Sequence, residues 1–576
     1  MRTILALLSL AQAANAQIPQ TWQYPATLNR AAASKHAMVA SSNRQAAQAG
    51  VEILKAGGNA VDAAVAVGFA LAVTYPEAGN IGGGGYMVIR MADGRAAALD
   101  YRETAPAAAF RDMYVDSAGN LTTYSINGRS ASGVPGVVGG LTAAQAKYGV
   151  LPLAKVMEPA IRLASQGFIV DSVLARSLHG KDSLIMHYAG GDVFFPGGKP
   201  LPVGSLLIQT DLANTLRAVA REGVNGFYRG KVAALIAAEM RRDCPPRISQ
   251  KERGAHGCGL ITAKDLARYQ PIWRKPITTG FRGYSLITMP PSSSGGITIG
   301  ETLNILDGPS RLPAFGSAQY LHLLASAFQR AFLDRNALLG DPAFVKIPLE
   351  RLSSKSYAVQ LRTTIDSAHH TPTSSIAMPI REGMETTHYS VVDDKGNAVA
   401  TTTTLNGLYG AAVFVKGAGF FLNNTMDDFS SQPGKPNMFG LVQGEANAIA
   451  PGKRMLSAMS PTIVLDPQGK VFMVLGARGG PRIITSTAQV ILNVIEHGMT
   501  LSDAMSAPRI HHQALPDDLR IDDGGFEPSV VDKLKQMGYT IVPQGYIGGS
   551  VVAIRRVSNG WEGMDDPRGR GGAAGY

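Results

Sequence analysis

The chain has 576 residues, a formal net charge of +11, 45% apolar and 17% charged residues, and 65 glycines. This composition excludes a disordered, coiled-coil or collagen-like chain, and the length allows several domains of about 150 residues or one large layered domain. The positive excess is scattered: its densest stretch, Arg241-Arg242 with Arg247, Lys251 and Arg253, is broken by Asp243, Glu252 and two prolines, which reads as a solvated loop and not as a nucleic-acid groove.

Met1-Arg2, an apolar run from Ile4 to Ala11 and Ala14-Asn15-Ala16 form the charged start, short hydrophobic stretch and small-residue cleavage site of a secretory leader, expected to be cut after Ala16. That predicts an exported protein, periplasmic or secreted. The best later apolar run, Ala60 to Thr74, is short and carries Asp62, so no membrane span is expected. Helical spacing from Asn43 to Lys55, a Gly57-Gly58 stop and a second apolar run from Ala60 to about Val73 predict a helical hairpin. Strand follows near Arg95 to Tyr101, then helix over Leu141 to Gln166, Leu212 to Glu222, Lys231 to Arg241 and, long and amphipathic, Ser317 to Leu339. The two cysteines, Cys244 and Cys258, form one disulfide in an exported chain or remain two thiols; spacing leaves both open. The doublets His369-His370 and His511-His512 each splay apart on either a strand or a helix, so no metal site is expected, and no cofactor motif stands out. Arg351 to Gly383, rich in Ser, Thr and His, reads as a mobile connection.

The segment after it is different. Thr386 to Val392, a turn at Asp393 to Asn397, and Ala398 to Leu405 predict a β-hairpin. If Val392 faces Ala398 across a loop centred on Lys395, Thr386 faces Thr404, with the two side chains about 5 Å apart on one face. A slip of one residue would break the pairing. An internal threonine is a weak nucleophile. At a chain terminus its own α-amine, with a pKa near 8, supplies the missing base. Further strands are expected at Thr462 to Leu465, Val471 to Leu475 and Ser550 to Arg555, with a helix over Ile484 to His497. Gly479 and Gly480 fall between such a strand and helix, where backbone N–H groups point outward and suit an oxyanion.

Several segments, in this order, resemble the gamma-glutamyltranspeptidases, N-terminal nucleophile hydrolases made as self-cleaving precursors. They are Pro76 to Gly85, Leu99-Asp100-Tyr101-Arg102-Glu103, Pro290 to Gly296, Thr386 to Asp393, Leu422-Asn423-Asn424 with Met426-Asp427-Asp428-Phe429, Met459 to Thr462, Gly479-Gly480-Pro481-Arg482 and Ala574-Gly575-Tyr576. The resemblance implies an α+β fold, a four-layer αββα sandwich, where composition and periodicity alone support only mixed helix and sheet. It also implies cleavage between Glu385 and Thr386 into a large fragment, 17–385, and a small catalytic one, 386–576, that stay together as a heterodimer.

The implied activity is gamma-glutamyl hydrolysis and transfer from glutathione and related amides to water, amino acids or peptides, through an ester on Thr386 and without a cofactor. By resemblance Thr404 orients the new amine, Arg102 and Ser457 hold the donor's α-carboxylate, and Asn406 and Asp428 hold its ammonium. Phe439 would stand in a lid loop running from Pro433. Two positions depart from the family pattern: Thr425 stands where Gln or Glu usually precedes Met-Asp-Asp, and Ala458 where a second serine is common, each removing a polar contact near the donor's charged end. The alternatives are a glutaryl-cephalosporin acylase of the same architecture and a non-catalytic exported binding protein.

Overall fold

The computed structural model describes residues 18–188, 191–245, 252, 254–373 and 385–576. The expected leader therefore lies outside the described residues, as do 374–384 of the polar connection. Fourteen strands make two antiparallel seven-stranded sheets. In chain order they are β1 (Ala32–Ser34), β2 (Met38–Ser41), β3 (Gly84–Arg90), β4 (Ala96–Tyr101), β5 (Ile272–Arg274), β6 (Ile277–Phe281), β7 (Tyr284–Thr288), β8 (Glu385–Val392), β9 (Ala398–Asn406), β10 (Thr462–Leu465), β11 (Val471–Ala477), β12 (Val551–Val557), β13 (Gly560–Asp565) and β14 (Gly572–Gly575). One sheet runs β14-β2-β8-β9-β3-β4-β5, and the other β1-β13-β12-β11-β10-β7-β6.

Strand alternation decides the layering. On the first sheet Met87, Ile89, Tyr389, Val391 and Val399 pack under the helices Arg44–Lys55 and Ala60–Thr74, whereas Tyr86, Val88, Ala398 and Ala400 point the other way, toward Ile463 and Val474 of the second sheet. The second sheet is covered on its far side by the helices Gly295–Leu306, Ala318–Leu338 and Arg482–Ile495. The result is four layers, αββα.

The helical hairpin forms as expected. Asn59 caps its second helix, and Asp62, the acid inside the apolar run, reaches back to the Asn59 N–H in a capping box. The single stretch expected over Leu141 to Gln166 is two helices, Val137–Tyr148 and Leu153–Gln166. Gly149 and Pro152 separate them, and the buried Asp62 carboxylate accepts the N–H groups of Val150 and Leu151 that the break releases. The polar connection is not uniformly irregular either. It carries helices Leu349–Ser353 and Lys355–Thr363, and it is pinned as far as Thr373, where Gln329 Nε2 donates to the Thr371 carbonyl at 2.8 Å. Cys244 and Cys258 form a disulfide with Cα atoms 5.4 Å apart.

Close packing between the sheets sets one glycine. A Cβ at Gly476 on β11 would fall 2.4 Å from Cε1 of His388 on β8. That imidazole is neutral, its pKa lowered to about 3 by burial, and it is bonded to Thr402 at 2.8 Å and Ser390 at 3.1 Å. We expect Gly476→Ala to lower the thermal midpoint by several degrees, the cost of overpacking being about 1–3 kcal/mol, and Cys258→Ser to cost about 2–4 kcal/mol by opening the cross-linked loop. Differential scanning calorimetry on each variant checks both, and native protein should show no thiol reactive toward Ellman's reagent after denaturation without reductant.

Candidate active site

Strand β8 begins at an irregularity. Glu385 pairs with Asn406 but Thr386 pairs with Thr404, so Leu405 is the extra residue of a bulge, and Asn406 sits at φ 79°. The expected register holds down to Val392 facing Ala398. The Thr386 and Thr404 hydroxyl oxygens are 3.2 Å apart, closer than backbone spacing alone suggested, because both side chains lean into the same hydrogen bond. Thr404 Oγ also accepts the Asn406 N–H at 2.8 Å, which fixes its rotamer. Both threonines lie on the face turned toward the other sheet.

A cleft opens over this pair. Its wall carries Thr386, Thr404, Asn406, Asp428, Ser457, Ala458, Phe439 and Gly480, so eight of the positions singled out in the sequence meet in one place. Gly479 and Gly480, at φ 120° and 57°, make the turn between β11 and the helix Arg482–Ile495. A Cβ at Gly480 would come within 2.7 Å of the Phe439 ring, so the loop from Pro433 closes directly on the glycine turn.

Two singled-out residues stand behind the wall. Arg102 is fully buried, its guanidinium 3.1 Å from Glu103 and in a shorter ion pair with Asp428. Thr425 is fully buried and its hydroxyl donates to Asn423 Oδ1 at 2.6 Å, away from the cleft. Burial raises the Asp428 carboxyl above the usual range despite Arg102, and lifts Glu103 to about 7 and Asp427 to about 6. The charged end of the cleft thus gathers these acids around Arg102, with Arg335 on the cleft wall also acting on Asp428.

Residues 46–576 match the family model described as Gamma-glutamyltranspeptidase. The chain belongs to the gamma-glutamyltranspeptidase family. It is 45% identical over 542 residues to the glutathione hydrolase proenzyme of Escherichia coli strain K12, covering 93% of this chain and 91% of that protein. It is 37% identical over 532 residues to the acylase ACY 1 proenzyme of Pseudomonas sp. strain SE83, covering 91% and 90%. The crystal structure of cephalosporin acylase from Bacillus halodurans superimposes with a TM-score of 0.82 at 28% identity, covering 97% of this chain and 99% of that one. The layered architecture is accordingly that of the N-terminal nucleophile hydrolases, and this gamma-glutamyltranspeptidase family member is an enzyme. Among the described residues no helix is long and apolar enough to cross a membrane.

One expectation about metal ligands is corrected by the fold of this family member. Each histidine doublet does splay, but one member of each, His370 and His512, meets at Asp517. The Asp517 oxygen lies 3.1 Å from His370 Nε2 and 3.3 Å from His512 Nε2, and the carboxylate also accepts the Thr373 N–H at 2.6 Å. His512 Nδ1 accepts the Ala514 N–H at 3.1 Å, so in the neutral ring Nε2 carries the proton, and it lies 3.3 Å from the carboxylate without an aligned hydrogen bond. Three groups able to ligate a cation thus stand together, with His370 Nε2 hydrogen-bonded to the carboxylate.

Sequence reasoning missed Arg335, which lies on the cleft wall. The signal was present: Leu321, Leu324, Phe328, Phe332 and Arg335 follow one stripe of the long helix, so a guanidinium occupies a position that helical spacing assigns to the core. For the threonine pair we expect Thr404→Val to lower unfolding stability by about 1–3 kcal/mol, since it leaves the Asn406 N–H without its acceptor and Thr386 without its neighbour. Thr404→Ser should keep nearly all of it. Urea midpoints of the two variants decide.

Proposed function

We propose that the chain is a gamma-glutamyl hydrolase and transferase, exported and matured by its own cleavage at Glu385-Thr386 into fragments 17–385 and 386–576 that remain associated. The observation that carries the reading is the Thr386–Thr404 hydroxyl pair, 3.2 Å apart at a bulge on the wall of a cleft that also holds Asp428 and Ser457. Family membership and the glutathione hydrolase relatives supply the substrate class. The disulfide suits an oxidising compartment.

In maturation the Thr386 hydroxyl oxygen attacks the Glu385 carbonyl carbon, and the amide nitrogen leaves as the Thr386 amine. Water then hydrolyses the resulting ester. In turnover the same oxygen attacks the donor's γ-carbonyl while the amine takes the hydroxyl proton and passes it to the departing amine. His388 is no rival for the part of base: burial keeps its pKa near 3 and both ring nitrogens are already bonded. Backbone N–H groups of the Gly479-Gly480 turn stabilise the oxyanion. Thr404 orients the amine, and Asn406 and Asp428 receive the donor's ammonium. Arg102, with Ser457, receives the donor's α-carboxylate. The γ-glutamyl ester is then released by water or by an acceptor amine, an amino acid or peptide.

A second reading, a glutaryl acylase, is favoured by the acylase relatives and by Thr425 and Ala458, which thin the polar contacts around the charged end. Asp428 weighs against it, because a glutaryl group brings no ammonium to pair with a buried carboxylate.

We expect mature protein to give two bands, the smaller starting at Thr386, and Thr386→Ala to remain one band with no turnover. Mass spectrometry with N-terminal sequencing reads this directly, and two bands from Thr386→Ala defeat the proposal. Faster release from a glutaryl anilide than from a γ-glutamyl anilide would select the acylase reading.

A further inference from the structure

His370, His512 and Asp517 each bring one ligand atom to a point outside the cleft, and these atoms all lie within 4.8 Å of one another. Asp517 Oδ1 is 3.1 Å from His370 Nε2 and 3.3 Å from His512 Nε2. Two donors bound tetrahedrally to a zinc-sized ion, at about 2.0–2.1 Å each, stand about 3.3 Å apart, so two edges of a coordination tetrahedron are already at length. His512 is only 1% exposed, and its Nε2, on the side of the carboxylate, has no aligned hydrogen-bond partner among the described residues. A buried polar nitrogen in that state is costly unless something arrives to use it.

The surroundings hold these donors in place. Asp517 accepts the Thr373 N–H at 2.6 Å and the Thr373 hydroxyl at 3.1 Å, which fixes the carboxylate. The His370 ring stacks on Tyr539 with centroids 4.4 Å apart. Among the described residues no lysine or arginine forms an ion pair with Asp517. Arg330, whose field reaches His512, is turned to Thr364, donating to its carbonyl at 2.6 Å and its hydroxyl at 2.7 Å. We propose that His370 Nε2, His512 Nε2 and an Asp517 oxygen form a binding site for a divalent transition ion of the zinc type, with water as the fourth ligand. Two imidazoles and one carboxylate suit Zn²⁺ or Co²⁺ better than Ca²⁺ or Mg²⁺, which favour oxygen donors. The Asp517 side chain, 22% exposed, gives the ion and its water a way in. Ligation moves each ring proton from Nε2 to Nδ1. His370 Nδ1 has no partner among the described residues to lose, whereas His512 exchanges its Ala514 N–H contact for the metal bond. That exchange sets an affinity of roughly micromolar order, below that of a zinc finger. His370 precedes Glu385 in the chain and His512 and Asp517 follow it, so the ion would bridge the two proposed fragments, although the site does not depend on their cleavage.

The test uses the whole purified protein without an affinity tag, stripped with EDTA and desalted. Zn²⁺ alone should bind as one equivalent in isothermal titration and raise the thermal midpoint by several degrees when in excess, because it binds the folded state. Co²⁺ in its place should give the strong visible absorption of a four-coordinate site. His370→Ala and Asp517→Asn should each weaken Zn²⁺ binding by roughly tenfold or more and abolish the cobalt band. His369→Ala, at the exposed neighbour of His370, should leave both unchanged. Should His370→Ala fail to fold, His370→Gln, of similar volume, takes its place and must show the same loss. Wild-type protein that binds no Zn²⁺, or that binds it no more tightly than the His370 variant does, overturns the assignment. So does a loss that appears in His369→Ala as well, which would mark binding at the exposed surface.

Discussion

The antiparallel register of β8 and β9 is the constraint on which the rest of the molecule depends. Thr386 can stand beside Thr404 only because Val392 stands beside Ala398, and that pairing is fixed by alternation: the same strands send Tyr389, Val391 and Val399 into one core and Ala398 and Ala400 into the other. A slip by one residue would exchange the two sets and bury the hydroxyls under the helices. The threonine pair is thus held by two hydrophobic cores at once, and the bulge opposite Glu385 is the one place where the β8–β9 ladder departs from regularity.

Burial does a second job at the charged end of the cleft. Removing water raises Glu103, Asp427 and Asp428 and lowers Arg335, so each charge there is harder to hold than it would be in solvent. Phe439, resting over the Gly480 turn, brings the loop from Pro433 onto the same cleft, so a shift of that loop is felt directly at the glycine turn.

Much of this was legible in the chain because it rests on short-range rules. The hairpin register followed from a turn and two alternating runs, and the strands at Thr462 and Val471 and the long helix beginning at Ala318 followed from periodicity. What periodicity could not carry was long-range electrostatics. The break after Tyr148 depends on Asp62, 88 residues before Val150, accepting freed amides. The meeting of His370 with His512 depends on two segments far apart in sequence. Arg335 was hidden for the opposite reason: it occupies a core position of an ordinary amphipathic stripe, and only the folded cleft explains a guanidinium there.

The order of strands in the first sheet carries one more consequence. β8 lies between β2 and β9, and β9 lies against β3, so the β8–β9 hairpin is flanked on both sides by strands from before Glu385 in a single sheet. The proposed scission would therefore change the number of polypeptides without creating an interface in the usual sense. On that proposal there would be no dissociation equilibrium short of global unfolding, dilution would not separate the pieces, and the assembled pair would behave thermodynamically as a monomer with an extra pair of ends.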